Sequence, residues 1–152
     1  MGLARGHRFS VSFEDAFPGG ALAVSEVEAA LERQSPQDRS RGVPARQRTD
    51  AVTGLPVWRL LVSDPVPARP SEASVTVEVL AEEKPELPEP VAGMTVAVRE
   101  VRFTGLTAEA RLGGQGDFRY VTYVYRARGI ESASAGRSGS RSSAKAASGE
   151  GR

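Results

Sequence analysis

The chain has no cysteine, one histidine and one tryptophan in 152 residues. The missing cysteines exclude disulfides, thiol nucleophiles and Cys-ligated zinc. His7 stands alone near the start, with no second imidazole or thiol to share a metal, and no usual nucleophile–base pair is in view. No metal, cofactor or catalytic residue is implied, and a non-enzymatic protein is expected. Long apolar runs are missing as well. No window approaches the run of about 18 apolar residues that a membrane-spanning helix needs, and the opening MGLARGHRFSVSF lacks the apolar centre of a signal peptide. A soluble, cytoplasmic protein with no membrane partner is the expectation, and the lack of cysteine is compatible with a reducing compartment. Net charge is only +1. The segment 131–152 carries four basic and two acidic residues, which leaves 16 basic and 17 acidic in 1–130. The body is no polycation, so any affinity for nucleic acid must come from a local patch.

What is abundant is punctuation. Ten prolines and sixteen glycines separate short apolar runs, which favours short strands over long helices. The stretch 49–64, TDAVTGLPVWRLLVSD, is the focal one. Asp50, Thr53, Gly54, Pro56 and Trp58 form a D-x-x-T-G-x-P-x-W pattern with turn chemistry, since Gly tolerates positive φ and Pro sets φ. Val57, Trp58, Leu60, Leu61 and Val62 follow as a nearly continuous apolar run, the pattern of a central strand covered on both faces.

Elsewhere the alternation is clearer. Residues 8–13 and 74–80 alternate cleanly, the second with Val75, Val77 and Val79 on one face. Residues 57–62 and 74–80 flank a proline-rich connection and should pair antiparallel. Residues 20–27 read as a strand that loosens afterwards, although a helical stripe through Val24, Val27 and Leu31 also fits. The acidic, proline-rich segment 81–93 reads as a solvated linker. Residues 94–103 alternate with a change of face near Glu100. Residues 106–112 and 118–127 should form a hairpin around the loop 113–117, with Phe118 and Tyr120 on one face and Tyr123 and Tyr125 on the other. Glycines 113, 114 and 116 precede a strand and not a helix, so they suit a turn better than a phosphate loop.

These elements describe an all-β domain with few helices, closing as a small antiparallel barrel that hides its edges. An OB-like barrel is the first choice, with an SH3-like barrel or a β-sandwich as alternatives. The domain spans 8–130, after a flexible 1–7. The Ser/Gly/Arg composition of 131–152 cannot build a core and reads as a disordered tail.

The long loop 32–48 carries the candidate binding chemistry. Arg33, Arg39, Arg41, Arg46 and Arg48 place five guanidinium groups within it. They either contact phosphates or merely solvate a surface loop. Tyr120, Tyr123 and Tyr125 are candidates to stack unpaired bases, as single-strand binders do on barrel surfaces. Trp58 is expected in the core.

Five short motifs occur in order: Phe17-Pro18-Gly19-Gly20-Ala21, the Asp50 to Trp58 pattern, Ser74-Val75-Thr76-Val77, Phe103-x-Gly105-Leu106-Thr107 and Tyr125-Arg126-Ala127-x-Gly129. Together they resemble the plasmid replication, integration and excision activators carried by actinomycete integrative and conjugative elements. The resemblance covers roughly Phe9 to Ile130. The arginine-rich 32–48 loop is longer than that family's, and the Ser/Gly tail also departs from it. The resemblance implies a regulator of replication and excision and carries no active-site residue. The regulator's partners would be DNA, with single strands favoured by the barrel, the arginine loop and the aromatics, or replication and excision proteins bound without contact to DNA.

Overall fold

The fold is that of a computed structural model, which describes residues 2–133. The part of the expected tail from 134 onwards lies outside the described residues. The strands are β1 (Arg8–Ser10), β2 (Ala21–Ala23), β3 (Glu28–Ala29), β4 (Val57–Ser63), β5 (Ser74–Leu80), β6 (Arg99–Thr104), β7 (Thr107–Gln115), β8 (Phe118–Ala127) and β9 (Gly129–Ser132). Two short helices, α1 (Phe13–Ala16) and α2 (Pro36–Ser40), and a 3-10 turn over Pro70–Glu72 complete the described elements. The chain is all-β with few helices, as the alternation foretells. No described helix is long and apolar enough to cross a membrane.

One curled sheet holds every strand, in the order β1-β7-β8-β5-β4-β2-β6-β9, with β3 also on β4. Its two flanks belong to the same hairpin. Thr104 pairs with Gly129, and Thr107 pairs with Arg126 in unbroken register. The pair β6–β7 and the pair β8–β9 are therefore two long strands, each bent once, at Gly105 and opposite it at Arg128. Gly105 has a φ of 59°, and the Arg128 amide donates to the Thr104 carbonyl across the bend at 2.8 Å. Counting each bent strand as one, the first core strand (β2) pairs with the second (β4) and the fourth (β6–β7). The third (β5) pairs with the fifth (β8) in parallel, and the other pairings are antiparallel. That is OB-like connectivity. A single curled sheet also sets the sandwich alternative aside.

Several local expectations are corrected. The strand expected over 8–13 stops at Ser10, because Ser12 caps α1 by accepting from the Asp15 amide at 3.1 Å. The 20–27 segment is a strand only to Ala23, and no helix forms there. From Ala23 to Glu28 is five steps, while their partners Val62 and Arg59 are three apart. Two extra residues thus bulge out, and the Ser25 hydroxyl accepts the Leu61 amide in the gap. Within the 32–48 loop, Ser35 caps α2. The strand expected over 94–103 begins only at Arg99. Gly113 and Gly114 lie inside β7, and the hairpin turns over Gly116 and Asp117 alone. At the other end β9 runs to Ser132, so Glu131 and Ser132 belong to the sheet and not to the tail.

The core lies on the concave face. Phe13, Phe17, Leu60, Val62, Val77, Val101 and Phe103 meet there, with Ala21, Ala23 and Ala127 admitting close approach. Leu87 also packs against this core, so the 81–93 segment is not wholly solvated. On the convex face Val57 and Leu80 are covered by Ala30 and Leu55 in a small second cluster. The central strand is therefore covered on both faces only at its Val57 end. Further along, Arg59 is exposed and Leu61 is 39% exposed.

Candidate nucleic-acid interface

The D-x-x-T-G motif builds the base of the arginine loop. Asp50, 6% exposed, accepts from both terminal nitrogens of Arg8, at 3.0 and 2.6 Å. It also accepts from the Thr53 amide at 2.9 Å and the Thr53 hydroxyl at 2.7 Å. The chain turns back with the Gly54 amide on the Asp50 carbonyl, and Gly54 has a φ of 71°. Arg8, then Thr53, hold the Asp50 carboxyl well below the ordinary carboxylate range against an opposing desolvation, and Asp50 in turn raises the Arg8 guanidinium. The motif is structural: it clasps β1 to the loop. Trp58 belongs to the same frame, half-buried against the core with its indole N–H donating to the Ala81 carbonyl at 3.0 Å.

A ladder of alternating charge continues across the convex face. Glu109 accepts from Arg111 at 2.8 Å and from Arg126 at 2.9 Å, and these two cations, Arg111 first, lower its pKa. Arg126 also reaches Glu78 at 3.8 Å, and Glu78 pairs with Arg48. Arg48 is thus engaged by a carboxylate, with its side chain still 48% exposed. The loop above it is closed by the Glu32 amide on the Arg46 carbonyl at 2.7 Å and by Gln34 on the Val43 carbonyl at 2.5 Å. Arg33, Arg39, Arg41 and Arg46 are exposed and make no ion pair among the described residues. Four of the five candidate arginines therefore share one connection, between β3 and β4, and make no ion pair among the described residues.

The aromatic half of the expected site lies elsewhere. Tyr120, Tyr123 and Tyr125 line a groove of about 930 Å³ beside the 64–72 segment, and no residue of the 32–48 loop borders it. Tyr125 is half-buried with its ring 5.5 Å from Phe17, and Tyr123 lies 6.4 Å beyond it. Burial first, then the Glu72 carboxylate, raises the Tyr125 phenol. Tyr120 is on the opposite face of β8, as the alternation foretells, with the Arg69 guanidinium 4.8 Å over its ring. The 32–48 loop contributes no residue to the lining of the tyrosine groove.

Sequence reasoning missed two features. Phe118, at the hairpin tip, is 85% exposed, the most open large apolar side chain among the described residues, with exposed Arg119 beside it. Asp64, Arg69 and Glu72 border the tyrosine groove. The first was legible in part, because a Phe directly after a Gly-Asp turn has little to pack on. The second was not, because the 64–72 segment has no periodicity. Among the described residues no cluster of His, Asp or Glu is arranged to hold a metal ion. No protein-family model matches the chain, and neither a curated protein nor a solved structure is significantly similar to it.

Proposed function

We propose that the protein is a non-enzymatic accessory factor that binds single-stranded nucleic acid through the arginine loop and the hairpin tip. The carrying observation is the set of four exposed, unpaired arginines on the connection between the first and second core strands. OB folds take oligonucleotides over the second and third strands, between that connection and the one joining the fourth and fifth. Here the latter is the Gly116–Asp117 turn with Phe118 and Arg119 beside it. Guanidinium groups neutralise phosphates and release counterions, and an open phenyl ring stacks on any unpaired base. Phe118 replaces the tyrosines as the stacking group in this reading. The resemblance of the five motifs to the replication, integration and excision activators supports a role for such an activity in the mobilisation of a plasmid element, where single strands are exposed.

The test is fluorescence anisotropy with labelled single- and double-stranded oligonucleotides at two salt concentrations. Salt-sensitive binding that prefers the single strand is expected. No binding to either strand form at low salt overturns the reading, and the regulator then acts through replication or excision proteins without touching DNA.

A further inference from the structure

The sheet is split between β5 and β8. The two strands pair in parallel at Val77 with Tyr125, Glu78 with Arg126 and Val79 with Ala127, and residues 74–76 and 118–124 lie beyond that ladder. β5 pairs β4 on its other side and β8 pairs β7, so the two facing edges are unpaired among the described residues. The tyrosine groove occupies this split. Its floor is aromatic, with Tyr123 51% exposed. Its charged lining is net acidic, Asp15, Asp64, Glu72 and Glu78 against Arg69 and Arg111, and of these Asp15, Asp64 and Glu72 make no ion pair among the described residues. Its wall already receives one guanidinium, that of Arg69 on Tyr120.

We propose that this split docks an extended, arginine- and lysine-bearing segment of a partner protein, which adds as a strand between β5 and β8. Two free edges offer main-chain hydrogen bonds to an inserted strand, the geometry of β-augmentation. Side chains on one face of that strand meet Tyr123 and Tyr125, where cations stack. Those at the rim meet Asp64 and Glu72. A polyanion is disfavoured by the same carboxylates. The surface is separate from the arginine loop, so the docking does not depend on that loop's part in nucleic-acid binding.

The probe is a fluorescein-labelled, end-capped nine-residue peptide alternating arginine and valine, titrated into the full chain. A saturable anisotropy rise is expected, at least ten-fold tighter than for the same peptide with glutamate in place of arginine. Binding should protect the amides of 118–124 from hydrogen exchange. The double variant Asp64→Lys, Glu72→Lys should reverse the preference to the acidic peptide, an outcome that misfolding does not mimic. Unchanged preference in that variant, or protection confined to other strands, overturns the proposal. So does displacement of the peptide by oligothymidylate from a chain with Arg33, Arg39, Arg41 and Arg46 replaced by alanine, because the groove then takes nucleic acid. A ten-fold gain in peptide affinity on truncation after Ala133 also overturns it, because the chain's own tail is then the occupant.

Discussion

Asp50 shows how much one residue holds. It joins β1 to the turn before β4 through Arg8 and shapes that turn through Thr53. Removing the carboxylate leaves Arg8 with its positive charge in a largely buried place. Asp50→Asn should therefore cost about 3 kcal/mol, the scale of a broken buried pair, measurable by urea unfolding at neutral pH. The pH dependence has a definite sign. The Asp50 and Glu109 carboxyls are depressed in the fold, so the unfolded chain binds more protons as pH falls through the ordinary carboxylate range. Their contribution is complete above that range and is lost below about pH 4. Arg8 is raised, so its share does not change at any pH below the ordinary arginine range. Asp50→Asn should flatten the acid limb of stability against pH; an unaltered limb would remove Asp50 as its source. Phe17 is the other single residue of weight, 2% exposed and ringed by Phe13, Phe103 and Tyr125. Phe17→Ala should cost about 3–5 kcal/mol in the same assay.

Among elements, the bent hairpin decides the architecture. A straight hairpin of this length would leave β2 and β5 with separate neighbours. The bend at Gly105 lets its near half pair with β2 and its far half with β5. Gly105 needs positive φ, and a Cβ there would meet the Arg128 side chain at 2.9 Å. Gly105→Val should destabilise by about 1–3 kcal/mol, the range for a strained backbone position. Hydrogen exchange should show the loss at the β2–β6 pairing, while Thermal or urea scans report the total. The arginine loop is the second element of consequence. Replacing Arg33, Arg39, Arg41 and Arg46 by alanine should weaken single-strand binding and reduce the salt slope by about 0.7 for each contact removed. Arg48→Ala should leave the slope nearly unchanged, because Arg48 is held by Glu78. Equal effects of all five would show that the ion pair does not withhold Arg48.

At the scale of the whole molecule, the near-neutral body carries two distinct charged features. Four exposed, unpaired arginines lie on the loop before β4, and the unpaired carboxylates Asp15, Asp64 and Glu72 line the split between β5 and β8. Phe118→Ala should reduce single-strand affinity by about 1–3 kcal/mol if its ring stacks on a base, with no change in arginine–valine peptide binding. The reverse pattern is expected for the Asp64, Glu72 reversal. Loss of both ligands in either variant would mean one shared surface and contradict the separation.

The sequence by itself determined the all-β class, the β4–β5 pairing, the face assignment of the β8 aromatics and the turn at Asp50 to Pro56. Each of these rests on neighbours in the chain: alternation follows from the two-residue repeat of a strand, and turns follow from the backbone limits of Gly and Pro. It also exposed the positive charge of the 32–48 loop. Only the tertiary structure decided which charges are spent and which surfaces coincide. Arg48 meets Glu78 thirty residues away, Asp50 meets Arg8 across forty-two, and the tyrosines face the unpatterned 64–72 segment in place of the arginines. Those outcomes depend on the bend of one hairpin and the parallel pairing of β5 with β8. Both are contacts between residues far apart in the chain, which local periodicity does not encode.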